Sequence, residues 1–320
     1  MSLAERPSPA RAIALKLAAV AAFVTMATCI KATAPHVPAG EAAFARALFA
    51  IPVILAWLAW RHDLRDGLKT HRPWGHAWRG LIGSTAMLTG FGALMLLPLP
   101  QATALSYAIP ILTVVLAVLV LRERIRMVRI SAVAMGVVGI GIILWPDLVA
   151  SSDGNGVRAE DARTLGVVLA LVSALLGATA QIVVRRLVRT EETPAIVFYF
   201  MVSATLVGLL TWPTGLFGPW VVPTPVEAAL LVSSGLLGGF GQAFLTSAYR
   251  YADASLIAPF DYASMIFAIL IGYALFDEVP RGSTLVGAAV VIAAGALIIW
   301  REARLGIRRE PSRRHATPQG

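Results

Sequence analysis

Charged residues are scarce in this chain, and their scarcity excludes a soluble globular protein. Of the 320 residues, 14% are charged and 58% are hydrophobic, and the mean hydropathy is +0.75. A soluble domain of this size carries about 25% charged residues on its surface. The composition therefore predicts an integral membrane protein.

Cysteine and lysine are also rare, and each shortage removes one kind of chemistry. The single cysteine, Cys29, cannot form a disulfide or a cysteine metal site within the chain. The three lysines, Lys16, Lys31 and Lys69, do not follow a glycine-rich phosphate loop. ATP-driven transport by this chain is therefore excluded on motif grounds.

The five histidines all fall in expected loops or tails. His71 and His76 lie five positions apart in a basic loop, where we expect solvated side chains rather than metal ligands. No Ser-His-Asp pattern falls within an apolar segment. We therefore expect no cofactor and no metal, and an intramembrane enzyme or a non-transporting scaffold is the weakest of the alternatives.

Ten apolar segments of about 20 residues run through the chain, and a helix of that length crosses a bilayer. They predict an all-α integral membrane protein with ten transmembrane helices. The segments are residues 12–33, 41–60, 78–98, 101–121, 128–146, 164–185, 194–213, 226–249, 254–276 and 282–300.

Positive charges collect on one side of these segments. With a cytoplasmic N-terminus, the cytoplasmic segments hold 21 of the 27 Lys and Arg residues and the outer segments hold three. This is the distribution of topology signals, so the net charge of +9 does not indicate a nucleic-acid partner. We expect a bacterial inner-membrane protein with both termini cytoplasmic, residues 1–11 at one end and a basic tail at 301–320 near anionic lipid.

The two halves of the chain repeat each other at an interval of 155 positions. Each half contains five segments, and an odd number places equivalent helices in opposite orientations. We therefore expect two inverted five-helix repeats, 12–146 and 164–300, joined by a flexible outer linker at 147–163. The repeated pairs are Tyr107 and Tyr262, Glu123 and Glu278, and Trp145 and Trp300.

Three motifs resemble the EamA branch of the drug/metabolite transporter superfamily. They are EAAFARALF at 41–49, ATALSYAIP at 102–110 followed by Arg122-Glu123, and APFDY at 258–262 followed by Asp277-Glu278. The resemblance covers residues 12–302. It implies an inverted-repeat carrier with a central cavity that opens alternately to the two sides, and it does not specify the substrate.

Polar side chains within the segments are the candidates for substrate contact, because each is costly in hydrocarbon. Asp261 is the only carboxylate well inside a late segment. We expect it to bind a cationic or hydrogen-bonding group or to carry a coupling proton; the alternative is a carboxylate held by amides that Pro259 leaves free. Tyr107 and Tyr262 are expected either to bracket the cavity or to pack between helices. The candidate cavity residues are Asp261, Tyr107, Tyr262, Gln181, Gln242 and Lys31.

Four further polar residues, Arg46, Glu41, Glu123 and Glu278, are interpreted as structural. Arg46 and Glu41 lie about one turn apart and are expected to pair, with anion binding by Arg46 as the alternative. Glu123 and Glu278 end their segments, where we expect helix caps or ion pairs with neighbouring charges.

Backbone features give three further expectations. Lys16 is expected to snorkel to the interface, and Pro110 and Pro259 are expected to kink helices four and nine. Small residues spaced four apart are expected to let helices approach closely. These residues are Ala132 and Gly136, and Gly235 and Gly239.

Together these features predict a secondary carrier of a small organic metabolite, with an amino acid or related metabolite exporter as the first hypothesis. The alternative is uptake of a planar vitamin or nucleoside-like solute such as riboflavin or S-adenosylmethionine. The partners are then a small-molecule substrate and the lipid bilayer. Lipid-facing and partner-facing apolar surfaces look alike in sequence, so a homodimer is left open, as are the coupling ion and the direction of transport.

Overall fold

The computed structural model describes residues 9–60, 67–121, 127–150, 157–188, 190–251 and 257–304, and these residues contain helices and no strand. Eleven α-helices and one 3₁₀ turn follow one another, the turn, Ala258–Tyr262, preceding α10. The helices are α1 Pro9–Thr33, α2 Ala39–Trp60, α3 Pro73–Leu96, α4 Leu99–Ser106, α5 Ala108–Leu121, α6 Met127–Ala150, α7 Val157–Leu187, α8 Thr193–Thr214, α9 Pro225–Tyr251, α10 Ala263–Phe276 and α11 Gly282–Arg304.

Each of the ten predicted apolar segments corresponds to helical structure in the described residues. Within the described residues, eight helical stretches are long and apolar enough to cross a membrane, with α4 and α5 counted together and the 3₁₀ turn counted with α10. Two shorter apolar helices, Ile130–Pro146 and Gly282–Leu297, complete the ten. The prediction of an all-helical chain with ten such segments is confirmed.

Proline interrupts two of these segments. Pro110 has no N–H to donate to the carbonyl of Ser106, and its ring clashes with that carbonyl. The fourth segment accordingly breaks between α4 and α5, at Tyr107. Pro259 lies in the 3₁₀ turn that replaces regular helix before α10. The expected kinks are therefore present, one as a helix break and one as a tighter turn.

Helices from the two halves of the chain interleave. The largest contacts join α1 to α9, α3 to α7, and α6 to α11, and α2 and α3 both pack on α8. Gly235 and Gly239 of α9 lie against Phe49 and Val53 of α2, which confirms the expected close approach. A further close approach was not predicted: a Cβ atom on Gly287 of α11 would lie 2.6 Å from a backbone carbonyl of α6.

Contacts between helix termini define two ends of the bundle. At one end, the Lys31 end, Lys31 near the C-terminus of α1 meets Glu278, which follows α10. At the opposite end, the His76 end, His76 near the start of α3 meets Glu191, which precedes α8.

The connection between the halves is shorter than expected. The sequence predicts a flexible linker over 147–163, but α6 continues through Pro146 to Ala150 and α7 begins at Val157. Proline removes one helical hydrogen bond without ending α6. The tail beyond residue 304 lies outside the described residues.

Candidate functional site

An ion pair between α1 and the 3₁₀ turn forms the centre of the site. The Nζ atom of Lys16 lies 2.6 Å from Oδ1 of Asp261. The lysine side chain is 2% exposed and the aspartate side chain is 54% exposed. A buried cation thus holds a carboxylate that solvent can reach. The predicted snorkelling of Lys16 is wrong, because its amine lies within reach of a carboxylate from a neighbouring helix.

A hydrogen-bonded chain of hydroxyl groups adjoins this pair. Ser264 Oγ donates to the backbone carbonyl of Asp261 at 2.7 Å. It lies 2.7 Å from the hydroxyl of Tyr107, which also donates to the backbone carbonyl of Tyr262 at 3.4 Å. The rings of Tyr107 and Tyr262 meet edge to face, with centroids 5.3 Å apart. The turn that carries Asp261 is therefore tied to the α4–α5 break.

The structure thus brings together three of the six predicted cavity residues: Asp261, Tyr107 and Tyr262. The tyrosines contact each other directly, with Tyr107 buried and Tyr262 half-buried. This geometry agrees with packing between helices. It leaves Asp261 as the group best placed to meet a solute.

Lys31 belongs to a different cluster. Its amine lies 3.0 Å from Glu278 Oε1 and donates to the backbone carbonyls of Leu97 at 2.6 Å and Leu94 at 3.3 Å. The other oxygen of Glu278 accepts the N–H of Leu99 at 2.7 Å. The cluster joins α1, the α3–α4 junction and the end of α10. Glu278 thus pairs with a lysine from α1.

The two glutamines lie apart from both clusters. Gln181 of α7 is exposed and Gln242 of α9 is partly exposed. Neither side chain makes a hydrogen bond to another described residue. Their predicted contact with substrate stays a prediction. Glu123, one of the four residues interpreted as structural, lies outside the described part of the chain.

Arg46 and Glu41 do not pair as expected. Oε2 of Glu41 accepts the backbone N–H of Val221 at 3.1 Å, across the Lys31 end. Arg46, 7% exposed, turns into the bundle, where its guanidinium contacts three thioethers, those of Met26, Met87 and Met201. The prediction of an Arg46–Glu41 pair is wrong, because Glu41 is engaged at the helix end while the arginine points to the interior.

A cleft of about 340 Å³ opens between α3, α5 and α7. Two exposed arginines, Arg72 and Arg186, lie at its mouth, and its walls are mainly apolar. Arg72 immediately precedes α3, which places the cleft at the His76 end of the bundle.

The sequence also gives no sign of a buried contact between His76 and Glu191. His76 is buried, and its Nε2 lies 3.1 Å from Oε2 of Glu191, while the N–H of His71 donates to Oε1 at 2.9 Å. Burial alone raises the pKa of Glu191, but these hydrogen bonds, with one from Thr70, give a net lowering. The prediction that His76 is a solvated loop residue is wrong, since it lies in the first turn of α3. His76 and Glu191 are 115 positions apart, so no local pattern reveals the pair.

Comparison with known proteins identifies the family. A model of the EamA-like transporter family matches residues 10–145 and again residues 164–300. The two matches cover most of the chain. This chain belongs to the EamA-like transporter family. The EamA-family protein is accordingly a multi-pass bacterial membrane protein and a transporter rather than an enzyme.

Named relatives of this EamA-family protein differ in what they carry. The S-adenosylmethionine uptake transporter of Rickettsia prowazekii is 31% identical, over 82% of this chain and 83% of the relative. The riboflavin transporter of Rhizobium johnstonii is 32% identical, over 83% of each chain. The pseudopaline exporter CntI of Pseudomonas aeruginosa is 28% identical, over 85% of this chain and 90% of the exporter. The family is therefore shown, and the substrate is not.

A solved structure supports the fold independently of these names. It is 22% identical in sequence, matches 93% of this chain and 100% of its own, and superposes with a TM-score of 0.62.

Proposed function

We propose that this EamA-family protein is a secondary-active carrier that moves a small organic metabolite across the bacterial inner membrane by alternating access. The observation that carries the proposal is the Lys16–Asp261 pair, in which a buried cation holds a half-exposed carboxylate among membrane-spanning helices. Charged residues within membrane-spanning segments are costly and typically mark a substrate pathway. A cationic group of the solute would bind Asp261 in competition with Lys16.

The packing of the helices supports two inverted repeats as the framework for this cycle. Adding 155 to a residue number converts α1 into α7, α2 into α8 and α3 into α9. The contact of α1 with α9 then becomes the contact of α7 with α3, and both are among the largest in the molecule. Lys31 ends α1 at the Lys31 end, whereas Arg163 of α7 meets Gln101 of α4 there at 2.9 Å. These contacts support opposite directions for the equivalent helices α1 and α7, which inverted repeats require.

The two ends of the bundle differ in a way that suits alternating access. The Lys31 end is closed by the Lys31–Glu278 cluster and by a core that includes Ile30, Phe91 and Leu99. The His76 end has the cleft at Arg72 and Arg186. With both termini in the cytoplasm, the Lys31 end would face the periplasm and the cleft would face the cytoplasm.

For the substrate, we propose a metabolite with an amino group, exported as an amino acid or related compound. An ammonium group is the natural ligand for Asp261. The alternative is uptake of a larger solute such as S-adenosylmethionine or riboflavin, which is favoured by two of the relatives named above. S-adenosylmethionine also carries an ammonium group, so the same carboxylate would serve it.

Counterflow in proteoliposomes tests the proposal. Vesicles are loaded with one unlabelled compound from a panel of amino acids, flavins, nucleosides and S-adenosylmethionine, and entry of the labelled compound is followed. A carrier gives saturable accumulation with one chemical class, whereas a scaffold or an enzyme gives none with any.

Two aspartate variants then test the site. Asp261→Asn keeps the size of the side chain and removes its charge, and we expect at least a tenfold loss of counterflow. Asp277→Asn is the matched control, because Asp277 is exposed beyond α10 and its left-handed backbone, with φ of 52°, accommodates asparagine. Equal counterflow by wild type and Asp261→Asn would sink the proposed role of Asp261.

A further inference from the structure

We propose that Arg46 is a carboxylate-binding subsite at the middle of the transport path, so that the substrates of this protein carry a carboxylate as well as a cationic group. The inference rests on the proposed carrier function and narrows its substrate class. It starts from a buried guanidinium that has no carboxylate partner among the described residues.

The surroundings of Arg46 are apolar and soft. Nη1 lies 3.3 Å from the sulfur of Met87 and 3.5 Å from that of Met201, and Nε lies 3.5 Å from that of Met26. Thioether sulfur is a weak acceptor. A buried charge that lacks a carboxylate or strong hydrogen-bond acceptors destabilises the state that contains it. Binding of an anion beside Arg46 would therefore stabilise this closed arrangement.

The surroundings are also adaptable. Methionine side chains have three rotatable bonds and repack readily around different ligands. Gly238 of α9 lies beside the guanidinium, and a Cβ atom at that position would come within 3.1 Å of Nε. The absence of a side chain there keeps one flank of the arginine clear. An entering carboxylate could thus displace methionines rather than backbone.

The internal repeat indicates that Arg46 lies near the centre of the helix bundle. The guanidinium of Arg46 contacts Met201, which is the residue equivalent to Arg46 in the second half, 155 positions later. Two equivalent positions that touch each other must lie near the axis relating the halves, which is where carriers of this architecture bind substrates. In the second half, the positions equivalent to Met26 and Met87 hold Gln181 and Gln242. The charge at position 46 thus breaks the symmetry at its centre.

A second arginine, with two unsatisfied guanidinium nitrogens, lies between Arg46 and the His76 end. Arg79 of α3 stacks on the ring of Phe200 at 4.2 Å, and its buried Nε and Nη1 atoms have no hydrogen-bond partner among the described residues. Arg79 precedes Met87 by two helical turns, about 12 Å. Two under-partnered guanidinium groups in succession provide a route for an anion from that end to the centre.

Arg46 and Asp261 are separate points on the path. Lys16 and Met26, which contact them, are ten residues apart on α1, or about 15 Å along the helix. A small amino acid cannot reach both at once. It would occupy them in succession, whereas a solute the length of S-adenosylmethionine could approach both.

The first test needs no substrate. Purified Arg46→Met is compared with wild type and with Arg281→Met, a control in which the same change is made at an exposed position. Because the arginine is under-partnered without ligand, we expect the thermal midpoint of Arg46→Met to equal or exceed that of wild type. A midpoint several degrees lower, or failure of the variant to fold, would mean that Arg46 is structural and would overturn the proposal.

The second test measures carboxylate preference by thermal stabilisation of the purified protein. The probes are acetate, glutarate, L-methionine and S-adenosylmethionine, with 3-methylthiopropylamine and decarboxylated S-adenosylmethionine as partners that lack the carboxylate. We expect wild type to bind one carboxylated probe at least tenfold more tightly than its partner, Arg46→Met to retain less than threefold of that preference, and Arg46→Lys to be intermediate.

The outcomes separate the two proposals. Wild type without preference for any carboxylated probe, or Arg46→Met with the wild-type preference, overturns the Arg46 subsite. Arg46-dependent binding in a protein that gives no counterflow with the bound compound supports the subsite and counts against the carrier proposal alone.

Discussion

Replacing Lys31 by methionine is expected to open the Lys31 end of the bundle. The lysine amine joins three elements through Glu278 at 3.0 Å and the carbonyls of Leu97 and Leu94 at 2.6 and 3.3 Å. These contacts exist only while the α3–α4 junction and the end of α10 lie against α1. Their loss therefore destabilises the closed arrangement and leaves a hydrated, open one largely unaffected.

The size of the effect follows from burial. Removing one partner of a fully buried ion pair costs about 3–5 kcal/mol. The side chains of Lys31 and Glu278 are 11% and 17% exposed, so we reduce this to about 2–3 kcal/mol for partial hydration. At 1.4 kcal/mol per factor of ten, the ratio of open to closed molecules should rise about 30- to 150-fold.

The single cysteine of the chain provides the assay. Cys29 is buried two residues before Lys31, so a membrane-impermeant maleimide reaches it only when that end opens. The alkylation rate of Lys31→Met should exceed that of wild type by a factor that approaches the population ratio. Glu278→Gln should raise the rate less, because its amide oxygen still accepts the N–H of Leu99.

Lys16→Met is the matched control, since it makes the same change on the same helix near the other end. It should not accelerate alkylation of Cys29. Equal rates for wild type and Lys31→Met, in protein of unchanged thermal stability, would refute the assignment of this cluster as a closure.

Four further outcomes are expected. Asp261→Asn should flatten the pH dependence of counterflow if the carboxylate carries a coupling proton; an unchanged profile would exclude that role. Tyr107→Phe should cost about 1 kcal/mol of stability through the lost bond to Ser264 and reduce counterflow less than fivefold, whereas loss of all transport would assign its hydroxyl to the substrate. Folding lowers the pKa of Glu191 from its ordinary value of 4.5. The difference in unfolding free energy between wild type and Glu191→Gln should therefore be largest above pH 4.5 and decline as the pH falls below it. A difference that grew at lower pH would contradict this prediction. Gly287→Val should lower the free energy of unfolding by about 1–3 kcal/mol, because it overpacks the α6–α11 crossing. The measurement is the thermal midpoint, and Gly282→Val, whose side chain would meet open space, is the control.

The sequence predicts the helices well because the bilayer imposes their length. Each must present about 20 apolar residues, and the predicted 41–60 and 194–213 correspond to Ala39–Trp60 and Thr193–Thr214. The break before Pro110 follows from a missing donor. The helical residues at 147–150 and 157–163 were missed, because polar linker residues extend helices whose apolar parts are already complete.

The site was only partly predictable, since its ion pairs join residues far apart in the chain. The 155-residue interval indicates that Tyr107 and Tyr262 are equivalent, and the structure places them in contact. No such rule joins Lys16 to Asp261, or Lys31 to Glu278. Arg46 was expected to pair with a nearby carboxylate because local spacing is visible in sequence, whereas its methionines are hidden in an apolar background.

Two ion pairs fasten α1 to the segment around α10, one before that helix and one after it. Lys16 and Lys31 are 15 residues apart, and Asp261 and Glu278 are 17 apart, so the pairs lie at matching heights on parallel helices. The two segments are thus joined near both ends. A solute that takes Asp261 from Lys16 would loosen one of the two attachments.

Under the proposed carrier function, the internal repeat favours different roles for these two pairs. The positions equivalent to Lys31 and Glu278 hold Arg186 and Glu123, again a cation and a carboxylate, although Glu123 lies outside the described residues. The positions equivalent to Lys16 and Asp261 hold Leu171 and Ser106, which cannot form an ion pair. A carrier built from inverted repeats needs closure at both ends but binds its substrate once per cycle. The charge pattern that occurs twice therefore suits closure, and the pair that occurs once suits the substrate.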